Sequence, residues 1–178
     1  VQQPFHEYQL RRIRGDMSSP QSYEPLDRAL EPGATLRLAP RGGRPTGGEA
    51  PFFNLEWLSG GAIVSIGWPG QWVVEFVRDG GTGLRVRAGQ EQIHLSLLPG
   101  EEIRTPRIVM LFWKGEWIRA QNLWRRWMKD HNMPRPGGEL VKPLLLASAY
   151  RIYHEMTRAT EENQLAFLQR YADEKLGL

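Results

Sequence analysis

Gly61-Ala62-Ile63-Val64-Ser65-Ile66-Gly67-Trp68-Pro69-Gly70-Gln71-Trp72-Val73-Val74 decides how the rest of the chain is read. Ala62 to Ile66 is an apolar run of strand length, rich in β-branched residues. Val73 to Val77 is a second, with Glu75 as its single charge. Between them, Pro69 fixes φ and Gly70 can supply a positive φ, so Pro69-Gly70 reads as the centre of a type II turn. Trp68 and Trp72 stand on either side. An indole is large and rigid, and two of them on an exposed corner need a covering surface. That surface is either a neighbouring strand or helix, or a ring-shaped ligand such as a sugar, whose C–H face stacks on indole. The corner by itself favours the first.

Outward from this stretch, strands come densely. Phe52–Trp57, Gly83–Arg87, Gln92–Leu97 and Ile108–Trp113 all have strand length and composition. Ser59-Gly60-Gly61, Asp79-Gly80-Gly81 and Pro99-Gly100 supply turns. Several short strands with such turns predict an antiparallel β-sandwich. Leu84 to Arg87 and Ile93 to Leu97 alternate cleanly, which predicts one buried face for each. His94 falls on the solvent side of that alternation, and no second ligand stands at a useful spacing, so no metal site is expected. Towards the N-terminus, Phe5–Arg14 reads as a strand, Met17–Pro32 as a loop and Thr35–Pro40 as a short strand. The glycine-rich stretch Arg41–Ala50 lacks the Gly-Lys-Ser/Thr ending of a phosphate-binding loop and reads as a surface loop.

After Trp113 the period changes. Trp117, Ala120, Trp124, Trp127, Met128 and His131 recur at three- and four-residue steps, one face of a helix. A tryptophan stripe at this spacing predicts a helix packed on the sandwich. Pro134-Arg135-Pro136-Gly137-Gly138 has the composition of a linker. Pro143 to Ala149 then reads as a buried strand, and Thr157 to Lys175 as a helix. Thr160 is its expected N-cap, with Glu161 and Glu162 in the first turn. Leu165, Leu168, Ala172 and Leu176 form its apolar face, and Gly177 ends it. Strand, loop and helix make the first βα unit of a parallel α/β fold. The expected division is a sandwich domain with its helix over residues 1–133, a linker over 134–142, and the start of an α/β unit, cut at its second strand, over 143–178. A lone apolar strand has open edges, and a homo-oligomer is one way to cover them.

Composition narrows the function classes. The 178 residues suffice for one domain with its own core, or one domain and a piece of another. Lys+Arg 23 against Asp+Glu 20 is balanced and the basic residues are scattered, which argues against nucleic acid. With no cysteine, disulfides and thiolate metal sites are excluded. No apolar run has membrane-spanning length. No signal peptide is visible, which tilts the compartment slightly towards the cytoplasm. The common catalytic signatures are absent, and the pairs Glu101-Glu102 and Glu161-Glu162 read as a turn and a helix start. No cofactor motif occurs. From the residues alone the function stays open, and a non-catalytic sandwich that binds carbohydrate or a protein partner is one class that fits.

Several blocks carry a further likeness: Phe52-Phe53-Asn54-Leu55-Glu56-Trp57, the Gly67–Trp72 corner, Arg87-Ala88-Gly89-Gln90-Glu91, Leu98-Pro99-Gly100-Glu101-Glu102-Ile103-Arg104-Thr105-Pro106 and Arg119 to Met128. In this order they resemble glycoside hydrolase family 36, the α-galactosidases or melibiases, from the middle of the N-terminal supersandwich into the catalytic barrel. Glu161 to Gln164 and Tyr171 to Glu174 resemble the first barrel helix. The resemblance implies a mainly β chain, a supersandwich-like fold with a packed helix, followed by the first βα unit of a truncated (β/α)8 barrel. It implies retaining hydrolysis of terminal α-galactosides or related oligosaccharides by two aspartates, both beyond residue 178, so no catalytic residue is expected in this chain. It also implies that Trp68 or Trp72 walls the sugar site, that Gln71 reaches the sugar's polar rim, and that Tyr150 approaches from the end of the first barrel strand. Many relatives carry an aromatic pair there; this chain has Ala149-Tyr150, and only Tyr150 fits.

Overall fold

A computed structural model describes residues 7–141 and 159–176. Contacts divide the chain into two compact units, Val1–Asp130 and His131–Leu178. The first unit is mainly β, with two antiparallel sheets. Strands β1 (Tyr8–Arg14), β2 (Pro25–Leu30), β4 (Glu49–Trp57), β5 (Gly60–Gly67) and β8 (Arg107–Lys114) form a sheet in the order β2-β1-β4-β5-β8. Strands β3 (Thr35–Leu38), β6 (Trp72–Arg78) and β7 (Leu84–Gln90) form a second, in the order β3-β6-β7.

Alternation explains how the sheets meet. Leu10, Phe53, Leu55, Val64 and Ile66 of the larger sheet pack with Leu38, Trp72, Val74 and Phe76 of the smaller in one core cluster. Phe53 meets Trp72 and Phe76 edge-on, with ring centroids 5.8 and 5.5 Å apart. The opposite face of the larger sheet carries Ile63 and Trp113, covered by Ala120 and Trp124 of helix α1 (Trp117–His131). Because β5 is buried on both faces, it reads as a continuous apolar run instead of alternating.

Four expectations are corrected. The stretch read as a loop at Met17–Pro32 contains β2, which pairs with β1 through its backbone while most of its side chains face solvent. Pro25 and the charged Asp27 and Arg28 suit an edge strand and hide it from an apolar-pattern reading. Gln92–Leu97 forms no strand, and Ile93, Leu95 and Leu97 are exposed. Its alternation is genuine, but a strand needs a neighbour for its ladder, and no described strand pairs with it. The hairpin before β5 turns at Leu58 and Ser59, with Trp57 opposite Gly60. Gly61 is a strand residue set against the Trp113 indole: a Cβ there would lie 2.6 Å from the indole ring and 2.1 Å from the Leu55 carbonyl oxygen. Lastly, Gly70 does not adopt a positive φ, so Pro69-Gly70 is not a type II turn.

In the second unit the described residues include a single 3-10 turn at Pro136–Gly138 and helix α2 (Glu161–Asp173). Thr160 caps α2 reciprocally. Its Oγ1 accepts from the Asn163 N–H at 3.3 Å, and its own N–H donates to Asn163 Oδ1 at 3.1 Å. Leu165, Leu168, Ala172 and Leu176, the expected apolar face, are all exposed. The expected strand within 143–149, Tyr150 and Gly177 lie outside the described residues. The helix expected as far as Lys175 ends at Asp173, with Glu174 as its C-cap. No described helix is long and apolar enough to cross a membrane.

Candidate functional site

The Gly67–Trp72 corner carries the chain from one sheet to the other, since β5 belongs to the five-stranded sheet and β6 to the three-stranded one. β6 alternates buried and half-buried residues from Trp72 onward, and that phase points Trp72, Val74 and Phe76 into the core. The Trp72 side chain is 0% exposed. Its indole N–H donates to the Pro45 carbonyl at 2.7 Å, so its one polar atom is spent on the glycine-rich loop. The expectation that Trp72 could wall a ligand site is therefore corrected: both faces of the ring are covered by protein. The signal was present in the sequence, because Trp72, Val74 and Phe76 share one strand parity.

Gln71 ties the corner to its surroundings. Its Nε2 donates to the Pro40 carbonyl and to Glu91 Oε2, each at 2.6 Å, and its Oε1 accepts from the Gly43 N–H at 3.1 Å. The amide expected to reach a sugar rim is thus engaged at both ends. Glu91 also accepts from the Arg37 guanidinium. The hydrogen bond from Arg37, then that from Gln71, holds the Glu91 carboxyl below its ordinary value near 4.5. Arg41 to Gly48 is folded on itself, with the Arg41 N–H donating to the Gly47 carbonyl at 2.7 Å. The surface loop of the sequence reading is therefore pinned at two points, by Gln71 at its start and by Trp72 at Pro45.

Trp68 differs from Trp72. It is half-buried and packs against the rim of the core cluster. Its indole lies over Gly70, where a Cβ would stand 3.2 Å from Nε1. Glycine at position 70 thus serves close approach and not backbone handedness. The structure brings Trp68, Gln71 and Trp72 together at one corner, with Trp68 alone retaining open surface of its ring. Tyr150 lies outside the described residues. His94 is exposed on the irregular segment after β7. Among the described residues, no group of three His, Asp or Glu side chains is placed to hold a metal ion. Searches against protein-family models and curated proteins found no match.

Proposed function

We propose that this chain is the sandwich portion of a retaining glycoside hydrolase that cleaves terminal α-galactosides, running into the first βα unit of its catalytic barrel. The observation that supports the reading is the ordered series of sequence blocks from Phe52 to Met128, which falls on a unit of two antiparallel sheets with a packed helix. In this reading the nucleophile and acid/base are aspartates of the barrel, outside residues 1–178, and hydrolysis passes through a covalent galactosyl-enzyme. Trp68 is the corner residue that offers an indole to the apolar face of the sugar, while Gln71 and Trp72 hold it in place.

An activated aryl α-galactoside tests the proposal. Residues 1–178 alone should show no turnover above a heat-killed control, and any longer open reading frame that contains them should show it. Turnover by residues 1–178 alone would overturn the placement of the catalytic groups. Lack of turnover by both would favour a non-catalytic, carbohydrate-binding sandwich.

A further inference from the structure

Among the described residues the two sheets have four terminal strands, and three of them are guarded. β2 carries Pro25, Asp27 and Arg28, β3 carries Arg37, and β7 carries Arg85 and Arg87. Charge and proline on a terminal strand discourage pairing with another chain. β8 is the fourth. Between Arg107 and Lys114 it runs Ile108-Val109-Met110-Leu111-Phe112-Trp113, apolar without a break. β5 takes one of its ladder edges, and no described strand takes the other. The two faces of β8 differ. Val109, Leu111 and Trp113 turn towards α1, and the Trp113 indole N–H donates to Asn54 Oδ1 at 2.9 Å, which fixes the orientation of that buried amide. Ile108, Met110 and Phe112 turn the other way, and are 39%, 53% and 70% exposed. α1 leaves the edge open: Arg11 of β1 lies over its Trp117, and Phe52 of β4 meets its Trp124, so the helix leans towards the strands on the other side of β5.

An occupant of this edge must supply a strand for the ladder and apolar side chains on the face of Ile108, Met110 and Phe112. A second copy of β8 meets both demands. Residues directly opposite in an antiparallel pair share a face, so a two-fold axis at Met110 keeps the exposed strips of both copies together. Met110 then stands opposite Met110 of the second copy, and Phe112 opposite Ile108. Arg107 falls opposite Trp113 and Lys114 opposite Pro106, so no like charges meet. By residue count, exposed Arg104 comes level with exposed Glu116, its opposite in charge. A slip of one residue would pair Arg107 with Lys114 and set the strip of one copy on the α1 side of the other. We propose that two copies of this chain associate through β8, antiparallel and centred on Met110, joining their five-stranded sheets into one. One ladder and three exposed side chains from each copy are small beside the interfaces of about 1,200–2,000 Å² that hold stable complexes, so the dimer is a reversible one.

Sedimentation velocity of residues 1–178, from about 1 to about 300 μM, should show a monomer–dimer equilibrium. Met110→Lys sets two like charges opposite each other on the axis and should weaken association roughly tenfold or more, with the monomer's melting temperature retained because Met110 is exposed. Register is read by cross-linking, since the chain has no cysteine of its own. Met110→Cys places two thiols directly opposite, within the Cα separation a disulfide spans. Phe112→Cys places them four residues apart along the strands, about 13 Å, which is out of reach. Mild oxidation should therefore yield covalent dimer at least roughly tenfold faster for Met110→Cys than for Phe112→Cys. If Met110→Lys does not fold, the two cross-linking rates decide. A monomer throughout the range overturns the proposal and leaves the edge to a strand of another protein. A dimer of unchanged affinity in folded Met110→Lys, or equal cross-linking in the two cysteine variants, overturns it as well. Loss of the glycosidase reading would leave these outcomes unaffected.

Discussion

Trp72 joins three parts of the molecule through one side chain: the ring of Phe53 in the opposing sheet, the small sheet's own core, and the loop carbonyl of Pro45. Trp72→Ala should lower stability by roughly 3–5 kcal/mol, the usual cost of truncating a buried aromatic. A urea midpoint within error of the parent's would contradict the burial. Glu91 acts through charge instead. Its carboxyl is depressed in the folded state, so it adds stability above its ordinary value near 4.5, and that stability is lost as pH falls through the lower folded value. Acidification below about pH 4.5 should therefore loosen the Arg37–Glu91–Gln71 cluster. Comparing acid unfolding of the parent and Glu91→Gln isolates this part: the variant should lose less stability over that range, and superimposable curves would remove Glu91 from the account.

At the scale of elements, α1 is held by a short list of contacts. Ala120 and Trp124 are its buried residues, Trp124 stacks on Trp127 with centroids 5.0 Å apart, and Phe52 meets Trp124 edge-on at 6.1 Å. The two ends of the stripe depart from it: Trp117 and His131 are exposed, and the Arg11 guanidinium lies over the Trp117 ring. Trp124→Ala should cost roughly 3–5 kcal/mol, whereas Trp117→Ala should cost about 1 kcal/mol through its cation–π contact. Equal losses in the two variants would show that the stripe is buried throughout. The Arg41–Gly48 loop depends on Gln71 in the same way. Gln71→Ala removes three hydrogen bonds, worth roughly 1 kcal/mol each and somewhat more for the one to the Glu91 carboxylate. Protease cleavage near Arg41 or Arg44 should quicken in that variant, and an unchanged rate would mean the loop holds itself.

At the scale of the whole molecule, the chain divides into two compact units at residue 130. Residues 132–139 are exposed, and Pro134, Pro136, Gly137 and Gly138 keep that stretch from joining a helix or sheet. Limited proteolysis should cut between residues 132 and 142 and release a folded sandwich. Resistance there in a monomeric sample would count against the division. The larger sheet also has an uncovered strip. Ile108, Met110 and Phe112 sit opposite Ile66, Val64 and Ala62 on the core-facing side of the sheet, yet Phe112 is 70% exposed. The three-stranded sheet does not cover that far edge.

What the sequence determined by itself was local. The period-2 run of β7, the apolar runs of β4, β5, β6 and β8, the tryptophan stripe of α1 and the Thr160 cap all follow from spacing within a single segment, because side-chain period and capping depend on near neighbours. What only the tertiary structure decided was partnership. β2 is a strand because it pairs with β1, and Gln92–Leu97 is none because it pairs with no described strand. The corner at Trp68 and Trp72 was legible as a corner, and the parity shared with Val74 and Phe76 marked Trp72 as the inward indole, but the Phe53 ring that covers it comes from the opposing sheet. Gln71 was legible as a polar group beside it, but the loop it holds comes from residues about thirty positions earlier in the chain. Asn54 was legible only as an amide inside an apolar run. Its fixed orientation comes from Trp113, 59 residues away. Ladder bonds, burial and hydrogen-bond partners are long-range quantities, and spacing along one strand does not contain them.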